Sequence, residues 1–203
     1  NRPSNPSYGS GSIIGSLGNG QQSNANGRFT DCIGHWAQSD IEEMTKRGIV
    51  TGITVDTFEP DREITRAEFA TLVAKALNLT STASAGFSDV ASDAWYYTYV
   101  NAAANAGLIA GYDGLFRPDD RITREEMAVI IAKTYSFAGG QTASGGAARF
   151  ADADSISAWA YASVDAATAE GLISGMTADT FAPAENATRA QAASLLRRLL
   201  DKI

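Results

Sequence analysis

A mainly helical chain, built from three copies of one helix–loop–helix module, is what this sequence predicts. Three observations carry the prediction. Trp36, Trp95 and Trp159 are each followed 12 residues later by a glycine (Gly48, Gly107, Gly171), and four residues after that by a second (Gly52, Gly111, Gly175). A Thr-Arg pair then recurs as Thr65-Arg66, Thr123-Arg124 and Thr188-Arg189, five residues after Pro60, Pro118 and Pro183. Apolar residues after each pair keep helical spacing: Phe69, Leu72, Val73 and Ala76, then Met127, Ile130 and Ile131, then Leu195, Leu196 and Leu199.

Taken in order, residues 1–28 are rich in Gly, Ser and Asn and read as a flexible linker. No signal peptide is legible there, so either one was removed or the chain is a fragment. The repeats are expected over 29–84, 85–146 and 147–203. Each opens on Phe-x-Asp: Phe29-Thr30-Asp31, Phe87-Ser88-Asp89, Phe150-Ala151-Asp152. A first helix runs from about the tryptophan to the first glycine, with Ile41, Met44 and Thr45 as a short stripe in the first repeat. The glycine suits the left-handed position after a helix end. Turn chemistry follows at Val55-Asp56-Thr57, Asp113-Gly114 and Ala178-Asp179-Thr180, with short strands as an option. Phe58-Glu59-Pro60 and its counterparts lead to the second helix, which starts at the threonine. Asn78–Gly86 and Phe137–Ala148 read as connectors, and Arg197-Arg198-Leu199-Leu200 as the close of the last helix, which suggests a module at the carboxyl end of its parent. A unit this small buries little core alone. Three of them would pack around a pseudo-threefold axis with second helices meeting centrally, leaving grooves between neighbours.

The net charge of −7 excludes a nucleic-acid surface, which needs a basic face. No apolar run approaches the ~20 residues of a membrane span. The single cysteine, Cys32, excludes an internal disulfide and reads as a buried small hydrophobe.

Thr65 with Glu68 forms a capping box, repeated by Thr123 with Glu126 and by Thr188 with Gln191. Capping leaves Arg66, Arg124 and Arg189 unexplained, because a cation is disfavoured at a helix amino terminus. Two readings stay open. The arginines hold an anion, where helix N–H groups and a planar fork of donors converge, or they bridge to Asp31, Asp89 or Asp152. The second glycines would admit close backbone approach by a ligand, or simply serve a turn. The tryptophans read as core residues or as walls on which a sugar stacks.

Together, Phe-x-Asp, His35-Trp36-Ala37, Gly-x-x-x-Gly, Phe-x-Pro and Ile64-Thr65-Arg66-Ala67-Glu68 resemble the S-layer homology (SLH) domain family, over about residues 29–203. The resemblance implies three tandem domains folded as a monomeric pseudo-trimer around a central helical bundle, at a Gram-positive cell surface. It implies non-covalent attachment to an anionic secondary cell wall polysaccharide, often through a pyruvylated amino sugar, in grooves between repeats. Carried over, Arg66, Arg124 and Arg189 would hold the carboxylate, Gly52, Gly111 and Gly175 would admit the sugar, and Trp36, Trp95 and Trp159 would wall the grooves. Departures are Glu125 and Gln191 in the Thr-Arg-Ala-Glu motif, Ala187 for isoleucine, and one residue fewer between Gly111 and Phe116, so the grooves are expected to be inequivalent. The alternative is a protein-interaction or assembly module. Catalysis, a cofactor and a metal are not expected: His35 has no counterpart in the other repeats, the glutamates are explained by capping, and Asp113-Gly114 lacks the alternating acids of a calcium loop.

Overall fold

The computed structural model describes residues 28–203, so the linker expected over 1–28 lies, Arg28 apart, outside the described residues. Six helices follow in order: α1 (Gln38–Lys46), α2 (Arg66–Ala76), α3 (Tyr97–Asn105), α4 (Arg124–Phe137), α5 (Ala158–Ala169) and α6 (Arg189–Leu200). Short 3-10 turns stand at Thr30–Cys32, Ala147–Arg149 and Ala153–Ser155. No strand forms among the described residues, only isolated bridges.

The even-numbered helices begin where capping chemistry places them. Thr65, Thr123 and Thr188 accept from the backbone N–H of Glu68, Glu126 and Gln191, whose side chains return to the capping N–H. Each box satisfies two otherwise orphaned donors, and losing the cap would cost about 1 kcal/mol. The odd helices stop at Gly48, Gly107 and Gly171, with φ of 70°, 74° and 68°, a left-handed conformation glycine adopts without strain. The Asp113-Gly114 pair makes a two-residue turn at φ 51° and 75°, closed by hydrogen bonds of 2.9 and 3.0 Å between Tyr112 and Leu115. In the other repeats a longer turn is held by Thr54–Thr57 and Thr177–Thr180 hydroxyl contacts, each 2.7 Å.

The most extensive helix pairs form between repeats rather than within them: α2 with α3, α4 with α5, and α6 back onto α1. A helix–loop–helix unit therefore does not fold on itself. It hands its second helix to the first helix of the next repeat, and the last repeat closes onto the first. The backbone follows the same cycle. Ile64 N–H donates to Ala187, Ala187 to Ile122 and Ile122 to Ile64, at 3.0, 2.9 and 3.2 Å. Arg66, Arg124 and Arg189 N–H groups donate to Asp120, Glu185 and Arg62 carbonyls, each at 2.9 Å. α2, which also contacts α4 and α6, is buried on nearly every side from Ala67 to Ala74. The core is completed by Phe58, Phe116 and Phe181, at most 1% exposed, whose rings pack tilted against those of Phe29, Phe87 and Phe150 at centroid distances of 5.5, 5.5 and 5.6 Å. Burying each is worth about 1.5–3 kcal/mol.

The middle residue of each Phe-x-Pro is left-handed without being glycine: Glu59, Arg117 and Ala182 have φ of 59°, 59° and 58°. The aspartates of Phe-x-Asp hold it there. Asp31 accepts from Phe58 and Glu59, Asp89 from Phe116 and Arg117, and Asp152 from Phe181 and Ala182, at 2.7–3.0 Å. One carboxylate thus spans two successive N–H groups that face the same way.

Partial burial pushes the Asp152 carboxyl up, but the N–H groups of Phe181 and Ala182, with Arg124 behind them, outweigh it and hold it below its ordinary value. A depressed carboxylate stabilises fully above its unfolded value near ~4 and loses that contribution as pH falls through the lower folded one. Asp152→Ala should therefore lower stability by roughly 1–3 kcal/mol at pH 6, read from urea unfolding. The gap to the unaltered chain should narrow as pH falls towards about 3.

Candidate functional site

Each second helix begins with an arginine, and its burial dictates what the guanidinium does. Arg66 reaches into the next repeat, donating from Nε to the Phe116 carbonyl at 2.9 Å and from Nη2 to Ala110 at 3.0 Å. Arg124 does the same to Phe181 and Ser174, at 2.8 and 2.7 Å. Arg189 closes the cycle on Phe58 and Thr51, at 2.7 and 2.9 Å. Each cation lies over the ring of the phenylalanine it bonds, 5.1, 4.9 and 4.2 Å from the centroid. Arg124 and Arg189 are 3% and 1% exposed. Burial lowers the pKa of both, countered at Arg124 by Asp152 and reinforced at Arg189 by the charge of Arg62.

Bridges from these arginines to Asp31, Asp89 and Asp152 do not form; the two partners are joined through a peptide instead. Phe181 donates its N–H to Asp152 and offers its C=O to Arg124, and the other junctions repeat this. Two donors of every fork are thereby committed to structure.

The third donor, Nη1, differs at each junction. Arg66 Nη1 meets the Glu126 carboxylate at 2.7 Å. At the Arg124 junction the matching residue is Gln191, whose amide oxygen accepts from Thr188 N–H at 3.3 Å and whose NH2 faces the Met176 sulfur at 3.1 Å. At the Arg189 junction the matching Glu68 is taken by Arg62 at 3.0 Å, and Arg189 Nη1 is buried without a partner among the described residues.

Two cavities adjoin these forks. One, of about 350 Å³, is lined by Arg124, Gly175 and Trp36 together with Ser174, Gln191 and Arg198. The other, of about 450 Å³, is lined by Arg66, Gly111 and Trp159 together with Tyr112, Glu126 and Lys133. Arginine, glycine and tryptophan come from three different repeats in each case, because α6 packs on α1 and α4 on α5. Trp36 and Trp159 are 60% and 61% exposed, and Trp95 39%, so a core role for them is overturned. Trp36 and Trp95 lie two residues before α1 and α3, and Trp159 is the second residue of α5.

The second glycines are fixed by packing. A Cβ on Gly52 would run into the Thr54 carbonyl and the Phe29 ring, and one on Gly111 into the Leu115 carbonyl. On Gly175 it would meet the Thr177 and Thr180 carbonyls at 2.5 Å and the Phe150 ring at 2.6 Å. The side that a side chain would occupy is thus filled by the turn and by the Phe-x-Asp ring. The residue that follows lines each cavity: Met176 in the first and Tyr112 in the second.

These features have counterparts among known proteins. The S-layer homology domain pattern matches three stretches, residues 28–70, 86–128 and 149–193. The chain belongs to the SLH domain family. It is 41% identical over 176 residues to an amylopullulanase of Thermoanaerobacterium thermosulfurigenes, covering 86% of this chain and 10% of that protein. It is 32% identical to the S-layer protein of Bacillus thuringiensis subsp. finitimus, covering 81% of this chain and 20% of that protein. To the surface-layer 125 kDa protein of Lysinibacillus sphaericus it is 32% identical, covering 72% and 12% respectively. The chain thus spans between a tenth and a fifth of these relatives.

Against the SLH motif, Glu125 stands for alanine, but its charge is not spent on Arg124. It accepts from the N–H and hydroxyl of Ser157 at 2.9 and 2.8 Å, at the amino terminus of α5. His35 is structural: Nδ1 accepts from Ala37 N–H and Nε2 meets Asp61, both at 3.2 Å. No motif marks Ser174, Met176 or Arg198 as a cavity residue, and only the junction brings them to the cavity.

Gly175→Ala should destabilise by about 1–3 kcal/mol through overpacking, read from denaturant unfolding. Cys32 is buried, and desolvation, aided by Asp31, raises its thiol to about 12. The native chain should therefore resist alkylation at pH 8, and react once unfolded.

Proposed function

We propose that this chain is a non-covalent cell-surface anchor that holds a larger exported protein to an anionic secondary cell wall polysaccharide. Membership of the SLH family and the S-layer and surface-layer relatives support attachment at the bacterial cell wall. The finer reading is that a pyruvylated amino sugar sits in grooves between repeats arranged as a monomeric pseudo-threefold trimer, with domains at 29–84, 85–146 and 147–203. The cyclic contacts between repeats support that arrangement.

The observation that carries the reading is the junction of Arg124, Gly175 and Trp36 around one open cavity. A guanidinium edge offers planar donors suited to the carboxylate of a pyruvate ketal. An exposed indole offers an apolar face for a sugar ring. The glycine's part is indirect: by packing against Phe150 it lets the following turn lie close to the groove wall. The activities in the relatives' names are not carried over, since so little of those proteins is covered.

A second reading, an assembly surface for a protein partner, draws on the exposed Tyr112, Trp159, Trp36 and Met176 side chains on the same cavities. The two separate on one dependence. Titration calorimetry against pyruvylated wall glycan should show binding, and removal of the pyruvate should abolish or weaken it at least tenfold. Equal binding to both glycans would overturn the anionic reading in favour of another ligand.

A further inference from the structure

The three arginines are chemically identical and anchored alike, yet their third donors are not equally available. We infer that this chain takes the anionic group of its glycan at the Arg124–Gln191 junction alone, and that the residue at the third helical position of the next repeat decides between the Arg66 and Arg124 junctions. The inference rests on the anchoring reading above.

At the first junction the Glu126 carboxylate already occupies the place of a ligand carboxylate, at 2.7 Å from Arg66 Nη1. The side chains are 15% and 29% exposed, which makes the pair less screened than a surface salt bridge. An incoming carboxylate would have to displace Glu126, which also caps α4 through Thr123 N–H at 2.9 Å. Arg117, Arg121 and Lys133 add positive charge around that cavity, but all three are exposed and their attraction is screened. At the third junction Arg189 is about as buried as Arg124, 1% against 3% exposed, but its Nη1 is sealed from solvent. Glu68, which would answer it, is drawn off by Arg62.

The middle junction is different in kind. Gln191 keeps the capping geometry but carries no charge, and among the described residues Arg124 donates from Nε and Nη2 but not from Nη1. No carboxylate lines the cavity, whereas Arg198 does, held at 2.7 Å by its Nη1 bond to the Ser174 hydroxyl. A ligand carboxylate there would meet a desolvated fork and a second cation, with Trp36 beside it for the ring. The amide at position 191 is thus a specificity-determining residue that keeps the arginine's last donor unspent.

Exchange variants test this without disturbing the fold, because each installs the capping residue its sister repeat already uses. Calorimetry with pyruvylated glycan should give one site per unaltered chain. Gln191→Glu should lower affinity at least tenfold by filling the Arg124 fork from within. Glu126→Gln should raise the stoichiometry from one to two by freeing Arg66. Thermal midpoints within a few degrees of the unaltered chain would verify that both variants fold. Two or three equivalent sites in the unaltered chain, or full binding by Gln191→Glu, would overturn the assignment while leaving anchoring intact. No pyruvate-dependent binding by the unaltered chain would overturn both.

Discussion

Everything in this fold hangs on a cation that each repeat inserts into its neighbour. An arginine at the first turn of a helix is electrostatically misplaced within its own repeat. It is repaid across the junction, where two backbone carbonyls and a phenylalanine face receive it. The receiving loop is itself strained, with a left-handed residue before proline, and is pinned from its other side by the aspartate of Phe-x-Asp. Asp152, the Phe181 peptide and Arg124 form one chain of polarised groups, and equivalent chains run through Asp31 and Asp89. Since hydrogen bonds to charged groups are worth roughly 1.5–3 kcal/mol each, these ties rank with the aromatic core in holding the ring closed.

That commitment explains why the binding chemistry is economical. With Nε and Nη2 engaged, one nitrogen of each arginine, Nη1, is left, and its state is set by the side chain that faces it and by how deeply it is buried. It also means that an arginine-to-alanine change mixes lost structure with lost binding, since the carbonyls of two loops lose their partners together. Charge exchange at the capping position separates the two, because both glutamate and glutamine close the capping box in this chain.

Much of this was legible in the sequence. The capping boxes, the helix-ending glycines and the buried stripes all obey local rules, so Thr65, Gly48 and Leu72 could be placed from spacing alone. The partnership of the helices could not be read, because an apolar stripe on α2 does not say whether α1 or α3 covers it. The same gap hid the three-repeat origin of each cavity and the roles of Ser174 and Arg198. Tryptophan was ambiguous because its size suits a core as well as a surface. The Arg–Asp bridges, one of the two readings open for the arginines, do not form because the intervening peptide serves both partners. Gln191 was visible as a departure from the motif, but its significance lay in what it faces across the junction.

The three arginines are committed alike through Nε and Nη2 and differ in what faces Nη1 and in how far it is buried. Arginine side-chain NMR of the native chain, with and without pyruvylated glycan, tests this most directly. The account predicts slow guanidinium rotation for Arg66, Arg124 and Arg189 in the free protein, with only the Arg124 Nη resonances moving on glycan addition. Freely rotating guanidinium groups, or glycan-induced shifts at Arg66 equal to those at Arg124, would contradict it.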